Sequence, residues 1–231
     1  MQEKMSNYNK NIVKKPWGYE YLAYQNENVG LWFLYIKPNQ STSMHCHPKK
    51  TTGLVLLDGE AEISFLADKR KLTGLDKVMI RRGLFHSTNA ISNNGAYIFE
   101  IETPVDKHDL VRLNDRYGRT SKPYEDNTFE ETKADDCLWI EEPALGECIT
   151  YSFANCILKL ETIDNIDVIN NKEDNELIMF LKGGLVRDID NISHCVTIPG
   201  DVGFASIIKK VSKQLDGVIS GTLIMTIIKN G

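Results

Sequence analysis

The sequence lacks the features that mark membrane-spanning, secreted and nucleic-acid-binding proteins. None of its apolar runs approaches the roughly 18 residues that a transmembrane helix needs. The first residues contain no apolar signal core. With 27 Lys and Arg against 32 Asp and Glu, the formal net charge of -5 gives no excess of positive charge for wrapping nucleic acid. We therefore expect a cytoplasmic protein without nucleic-acid or membrane partners.

Cysteines are few, and helical periodicity is missing. The five cysteines are odd in number and show no C-x-x-C spacing, which fits a reducing compartment better than a disulfide scaffold or a structural zinc site. No segment repeats apolar residues every 3.6 positions between caps, so low helix content is expected. The length of 231 residues suits one large domain or two of about 110 residues.

Strand signals, by contrast, run through the whole chain. Gly30–Lys37 is rich in β-formers, Ala61–Phe65 alternates as a half-buried strand should, and Ala96–Glu102 forms a further run. Asp58-Gly59 is the strongest hairpin dipeptide of the sequence. From about Asp135 strand-like runs start again, and the pattern predicts an all-β protein in two halves.

Three of the five histidines fall in two short segments separated by strand-like sequence. His45 and His47 stand two apart on an extended segment, so their side chains project to the same side. A chain reversal would bring His86 back beside them. Three imidazoles together can hold one divalent metal ion such as Zn, Mn, Ni or Fe. The alternative, three unrelated structural histidines, stays open, and His194 in the second half is interpreted as structural.

The histidine pair, the third histidine and the glycines Gly59 and Gly83 resemble the two signature motifs of the cupin superfamily. The resemblance implies that the three histidines are metal ligands. It also implies two cupin barrels of the double-stranded β-helix, or jelly-roll, type, the second of them degenerate. The family's glutamate ligand would fall at position 51 or 52, where this chain has Thr51 and Thr52.

Two further segments resemble cupins related to type II mannose-6-phosphate isomerases. One is Pro16-Trp17-Gly18-Tyr19-Glu20, and the other matches at Asp109, Val111, Arg112, Asp115, Tyr117, Gly118 and Arg119. The resemblance implies an N-terminal metal-binding cupin over residues 1–120, the polar and charged composition of residues 121–134 predicts a linker, and the strand runs that follow predict a degenerate cupin over 135–231. The resemblance also implies a small sugar or sugar phosphate as the substrate, with homodimer formation left open.

Acidic and basic residues near the motifs are candidates for catalysis and substrate binding. Glu102, and after it Glu100, share one face of a strand and could move a proton between neighbouring carbons. Tyr35 and Lys37 precede the first motif and could donate a proton or a hydrogen bond. Arg112 and Arg119 could bind a phosphate, because guanidinium forks match its geometry. For each of these six residues a purely structural role is the competing interpretation.

The resemblance implies a metal-dependent sugar or sugar-phosphate isomerase of the aldose–ketose type, acting through an enediolate, whereas the spacing of the residues alone predicts only a metal ion and a pocket. Three alternatives remain. One is a three-histidine iron oxygenase, because open positions on such a centre also suit dioxygen. Another is a non-catalytic sugar-binding or scaffold protein, favoured by the two threonines. The last is a metal-free nucleotide-sugar ketoisomerase with His45 and His47 as acid and base.

Overall fold

The computed structural model describes residues 8, 10–120, 129–131, 137–190 and 192–230. The chain divides into two compact units, Met1–Ile140 and Glu141–Gly231. Most of the predicted linker falls outside the described residues. Its described part, Phe129–Glu131, is a short strand that pairs with a strand of the first unit.

The first unit consists of strands joined by turns. Within its described residues these strands are β1 (Asn11–Lys15), β2 (Gly18–Gln25), β3 (Gly30–Ile36), β4 (Met44–Cys46), β5 (Thr51–Gly59), β6 (Ala61–Phe65), β7 (Lys69–Leu72), β8 (Lys77–Ile80), β9 (His86–Ala90), β10 (Ala96–Thr103), β11 (Val111–Asn114) and β12 (Phe129–Glu131). They form a seven-stranded sheet in the order β12-β1-β2-β3-β10-β5-β8 and a five-stranded sheet in the order β11-β4-β9-β6-β7. The pairings in both sheets are antiparallel. The predicted all-β, double-stranded β-helix fold is confirmed.

The core of the first unit lies between its two sheets. Side chains alternate along a strand, so every second residue of each strand reaches this core. Leu34 and Ile98 of the large sheet pack with Ala61 and Ile63 of the small one, and all four are buried. Burying one such aliphatic side chain contributes about 1.5–3 kcal/mol relative to leaving it in water.

Strand β10 changes character along its inner face. Ile98 belongs to the apolar core, but Glu100 and Glu102, two and four residues further on, are also buried. The prediction that these three side chains share one face is confirmed by the strand geometry. One end of the barrel interior is therefore apolar and the other is charged.

The Asp58-Gly59 turn does not close a hairpin, and that prediction is wrong. β5 pairs with β8 and β10 in the large sheet, whereas β6 pairs with β7 and β9 in the small sheet. Gly59 has a φ of 81°, and a Cβ there would collide with the carbonyl oxygen of Gly95. The glycine lets the chain cross between sheets beside a second turn, so the dipeptide marks a sharp bend but does not determine which strands pair.

The second unit is smaller and has two sheets of its own. Its described strands are β13 (Cys148–Phe153), β14 (Cys156–Ile163), β15 (Leu177–Lys182), β16 (Leu185–Ile189), β17 (Ile192–Cys195), β18 (Val202–Phe204), β19 (Gly217–Val218) and β20 (Thr222–Lys229). One sheet has the order β13-β14-β20-β15-β18 and the other β17-β16-β19. Ile178, Phe180 and Ile224 lie in its core.

Two short helices, α1 (Asp167–Asn170) and α2 (Ala205–Ser212), belong to the second unit. The sequence did not predict α2, because eight residues are too few for the period of its buried residues, Ala205, Ile208 and Ser212, to stand out. Among the described residues, no helix has the length and apolar character to cross a lipid bilayer.

Candidate metal centre

The structure brings the three predicted histidines together. His45 on β4 pairs directly with His86 on β9, and His47 follows one residue after β4 ends. The ring centroids are 4.4 Å apart for His45 and His86, 5.0 Å for His45 and His47, and 5.5 Å for His47 and His86. One ring nitrogen from each residue lies within 4.8 Å of the other two.

Each imidazole is held by a backbone carbonyl through its Nδ1. His45 Nδ1 lies 2.7 Å from the carbonyl oxygen of Ser43, His47 Nδ1 lies 2.6 Å from that of Asp109, and His86 Nδ1 lies 3.0 Å from that of Leu84. A carbonyl oxygen can only accept, so each Nδ1 carries the proton and each Nε2 keeps its lone pair. This arrangement orients the rings as metal ligands are usually oriented.

The environment keeps the three rings uncharged. Burial, and the positive charge of Lys50 nearby, lower the pKa of His47 to about 2. Burial also lowers the pKa of His86 to about 4. For His45, burial and then the proximity of His86 and His47 hold the pKa well below its ordinary value. All three are therefore neutral near pH 7, the form that binds a metal ion.

The donor set fits a divalent metal ion. His47 Nε2 is buried and has no hydrogen-bond partner among the described residues, which is costly unless something else binds it. A metal ion bound at about 2.1 Å from each nitrogen would require any two of these nitrogens to lie within about 4.2 Å of each other. The nitrogens of the three histidines therefore need to move by less than about 1 Å to bind one ion. Imidazole nitrogen suits zinc, nickel and iron, and neutral ligands leave the ion its full charge.

The two threonines at the expected glutamate position do not contribute a carboxylate. Thr51 Oγ1 donates to the carbonyl oxygen of Thr103 over 3.3 Å, and Thr52 is buried opposite Glu102 in the β5–β10 ladder. The residue just before them, Lys50, is 1% exposed and lines the same cavity as His45 and His47. A buried ammonium group therefore stands beside the histidines in a region where the resemblance implied an acid.

Lys50 is held in place by Glu102. Its Nζ makes an ion pair with Glu102 Oε2, and the other carboxylate oxygen accepts from Trp32 Nε1 over 3.0 Å. Glu102 is fully buried. The first predicted base is thus occupied on both oxygens, and the cavity lining includes Lys50 rather than Glu102.

His45 and His47 line a cavity with about 460 Å³ of empty space, part of it open solvent. Its lining is strongly charged and comes from both sheets and from the segment after β10. The lining residues of the first unit are Lys15, Trp17, Glu20, Leu34, Thr42, Ser43, His45, His47, Lys50, Glu100, Lys107, Leu110, Arg112 and Arg119.

Glu100, the second predicted base, lines this cavity and is 8% exposed. Burial raises the pKa of Glu100 above its ordinary value, although Lys107 and Lys50 oppose the rise. Burial alone would lower the pKa of Lys107, but Glu20, Glu100 and Glu102 raise it overall. Lys107 Nζ also lies 3.2 Å from Glu20 Oε1 and 3.8 Å from the centre of the Trp32 ring.

The two predicted phosphate-binding arginines both line the cavity. Arg119 forms a bidentate ion pair with Asp115, with Nε 3.1 Å from Oδ2 and Nη2 2.6 Å from Oδ1. The ion pair with Asp115 supports the structural interpretation of Arg119, although the side chain also lines the cavity. Arg112 lies opposite His45 in the β4–β11 pairing, which places it at the histidine set.

Tyr35 and Lys37 lie outside the described cavity lining. The Tyr35 ring packs 4.9 Å from that of Tyr97, and its hydroxyl donates to the carbonyl oxygen of Asn94 over 3.4 Å. Tyr97 is on the face of β10 opposite Glu100, so Tyr35 faces away from the barrel interior. Lys37 is exposed just after β3 ends.

Sequence reasoning missed two residues that organise the site, Lys50 and Asp109. The carbonyl oxygen of Asp109 holds the His47 ring, and its carboxylate Oδ2 accepts from the backbone amides of Lys49 at 2.8 Å and Lys50 at 2.9 Å. In the sequence, Asp109 stands out only through the second resemblance. Lys50 does not stand out at all, because a lysine is normally exposed.

Comparisons with known proteins show only distant likenesses. No protein-family model matches the sequence, and no curated protein matches it. Among solved structures, KdgF from Halomonas sp. is 14% identical with a TM-score of 0.37, and the match covers 40% of this chain and 85% of that one. The capsular polysaccharide assembling protein CapF from Staphylococcus aureus is 16% identical with a TM-score of 0.42, covering 45% and 34%.

A third solved structure is described as a sugar phosphate isomerase from the cupin superfamily of Silicibacter pomeroyi. It is 9% identical with a TM-score of 0.36, and the match covers 43% of this chain and 63% of that one. Each of these matches spans less than half of the present chain. They are too distant to bear on activity, which has to be inferred from the site itself.

Proposed function

We propose that this protein is a metal-dependent isomerase of a sugar or sugar phosphate, of the aldose–ketose type. One observation carries the proposal: three neutral imidazoles lie close enough to hold one ion, and two of them, His45 and His47, line the same cavity as a buried carboxyl group, Glu100. A divalent ion held by His45, His47 and His86 would supply a Lewis acid that polarises a carbonyl group. The first unit would carry this chemistry, and the second unit would be a degenerate cupin.

Glu100 is the better of the two predicted bases. Aldose–ketose isomerisation removes a proton from the carbon beside a carbonyl group and returns it to the neighbouring carbon, through an enediolate. A carboxylate that lines the cavity and has a raised pKa can take and return that proton. Glu102 serves instead to hold Lys50, because both of its oxygens are already engaged.

The charge of the cavity favours an anionic substrate. Five cationic side chains line it, Lys15, Lys50, Lys107, Arg112 and Arg119, against two acidic ones, Glu20 and Glu100. The cations remain in excess when Glu102 and Asp115, which pair with two of them, are included. A phosphate or carboxylate on the sugar would be attracted to this surface.

The test is an isomerase assay on the metal-loaded full chain with a panel of aldose and ketose phosphates in deuterated water. We expect interconversion of one pair, with solvent deuterium appearing at the carbon that exchanges its proton. Glu100→Gln should lower kcat by about 10²–10⁴-fold, the usual contribution of a general base. His45→Ala should lose both bound metal and activity.

The control is Glu62→Gln, which removes an exposed carboxylate paired with Lys69 in the small sheet and should leave kcat unchanged. Activity that survives in Glu100→Gln would refute the role of Glu100. Activity that survives chelation would favour the metal-free ketoisomerase instead.

The open coordination positions that a three-histidine set leaves on an ion also favour an iron oxygenase. Elemental analysis and an oxygen electrode separate the two. Iron in the purified protein together with oxygen uptake would support the oxygenase. Isomerisation without oxygen consumption supports the proposal, and a chain that neither binds added metals nor shifts its Tm with them would leave the non-catalytic sugar-binding alternative.

A further inference from the structure

A buried lysine beside a metal-binding set is unexpected, because two positive charges disfavour each other in a buried site. Lys50 is 1% exposed, follows His47 by three residues, and lines the same cavity as His45 and His47. Its positive charge contributes to the lowered pKa of all three histidines. The same charge must oppose a divalent cation at their Nε2 atoms.

Lys50 is held at this position through both its backbone and its side chain. Its backbone amide donates to Asp109 Oδ2, the residue whose carbonyl oxygen also holds the His47 ring. At the other end its Nζ is held by Glu102, which Trp32 holds in turn. Asp109 therefore anchors the backbone of Lys50, and Glu102 anchors its ammonium group.

Glu102 pairs with Lys50 on the side away from the cavity, and Glu100 is the acidic group of the cavity lining whose pKa the charge of Lys50 lowers. Glu102 is fully buried and outside the cavity lining, whereas Lys50 is part of that lining. From the cavity, the pair presents its positive end. An anion in the cavity would be attracted both to this end and to a bound metal ion, and it would relieve the repulsion between them.

We propose that Lys50 makes metal binding at His45, His47 and His86 depend on an anion: the ion binds weakly alone and more tightly when an anionic ligand occupies the cavity. Binding of the two is then cooperative and reciprocal, since the metal must raise the affinity for the anion by the same factor. This inference rests on the metal binding of the proposed function but not on the isomerase reaction.

The experiment measures Mn²⁺ affinity of the full chain with and without inorganic phosphate, using the electron paramagnetic resonance signal of free Mn²⁺. In the unmodified protein we expect phosphate to tighten Mn²⁺ binding by about fivefold or more. In Lys50→Met, which keeps the length of the side chain and removes its charge, Mn²⁺ should bind more tightly than in the unmodified protein when phosphate is absent. The effect of phosphate should then fall below about twofold.

Two further variants keep the test decisive. Lys50→Met leaves Glu102 buried without its cation, so Lys50→Met/Glu102→Gln serves where the single variant does not fold; the glutamine still accepts from Trp32. Lys69→Met is the matched control, because it removes the charge of a lysine that lies outside the cavity lining and pairs with Glu62 in the small sheet. It should retain most of the phosphate effect.

The outcomes distinguish this inference from the proposed function. Tight Mn²⁺ binding that phosphate does not change, or a phosphate effect that persists in both Lys50 variants, would overturn the inference while leaving the isomerase intact. Coupling without isomerase activity on any sugar phosphate would support the inference and remove the proposed reaction. No binding of Mn²⁺, Zn²⁺ or Ni²⁺ under either condition would overturn both.

Discussion

Asp109 organises the candidate metal centre although its own side chain is not one of the proposed metal ligands. Its carbonyl oxygen sets the tautomer of His47, and its carboxylate satisfies the backbone amides of Lys49 and Lys50. It is 6% exposed, so water does not readily replace these bonds. The residue links the segment after β10 to the turn that carries His47.

Asp109→Ala should therefore weaken both the fold and the metal site. It leaves two amide donors without their acceptor, one of them on the buried Lys50, and should cost about 2–3 kcal/mol in the free energy of unfolding. The carbonyl oxygen that holds His47 stays in this variant, but the segment that carries it loses its carboxylate anchor, so metal binding should weaken by about tenfold, the lower end of the loss expected for an outer-shell contact. Urea denaturation and Mn²⁺ titration measure the two effects.

Asp109→Asn and Asp106→Ala are the comparisons for that variant. The asparagine keeps an acceptor oxygen and should lose less than half as much stability. Asp106 accepts from the amide of His108 over 3.1 Å at an exposed position, and its removal should cost less than about 0.5 kcal/mol. Equal losses in Asp109→Ala and Asp106→Ala would mean that the carboxylate of Asp109 does not organise the site.

At the scale of the element, two turns of the cupin-like motifs require glycine for different physical reasons. Gly59 at the end of β5 and Gly83 before β9 both have positive φ values, 81° and 72°. A Cβ at Gly59 would collide with backbone, whereas at Gly83 no described atom lies within 4 Å of it. The first turn is thus constrained by backbone conformation and by space, and the second by conformation alone.

Replacing each glycine by alanine should reveal this difference. Gly83→Ala should cost about 1–2 kcal/mol, the penalty for a left-handed conformation of a residue with a Cβ. Gly59→Ala should cost clearly more, on the order of 3 kcal/mol, because the neighbouring turn must also move. Urea denaturation of the two variants side by side gives the comparison, and equal costs would mean that the crossing at Gly59 tolerates a side chain.

The same elements show how much the sequence could predict. The strands Ala61–Phe65 and Ala96–Thr103 and the shared side of His45 and His47 follow from the period of two, which is a local property. The pairing of β5 with β10 instead of β6, and the ion pair of Lys50 with Glu102 52 residues away, are properties of the assembled sheets. Glu100 and Glu102 lie on one face of β10, but it is Glu102 that contacts both Lys50 and Trp32. These contacts join residues far apart in the sequence, so no local pattern predicts them.

At the scale of the whole molecule, the chemistry is unevenly divided between the two units. His45, His47 and His86, all in the first unit, are the only group of metal-binding side chains found among the described residues. The second unit has one histidine, His194, exposed on β17 opposite Arg187. Metal binding is therefore expected to act on the stability of the first unit.

Calorimetry of the full chain with and without Mn²⁺ and phosphate tests this division. A ligand that binds only the folded state raises the free energy of unfolding by about 2.7 kcal/mol at a hundred times its Kd, a shift of roughly 5–10 °C in Tm at this chain length. If the two units unfold in separate transitions, only one of them should move. His45→Ala/His47→Ala should abolish the shift, because it removes two of the three ligands. His194→Ala, a matched loss of a histidine in the second unit, should retain it. A shift lost in His194→Ala, or kept in the double variant, would place the metal elsewhere in the chain.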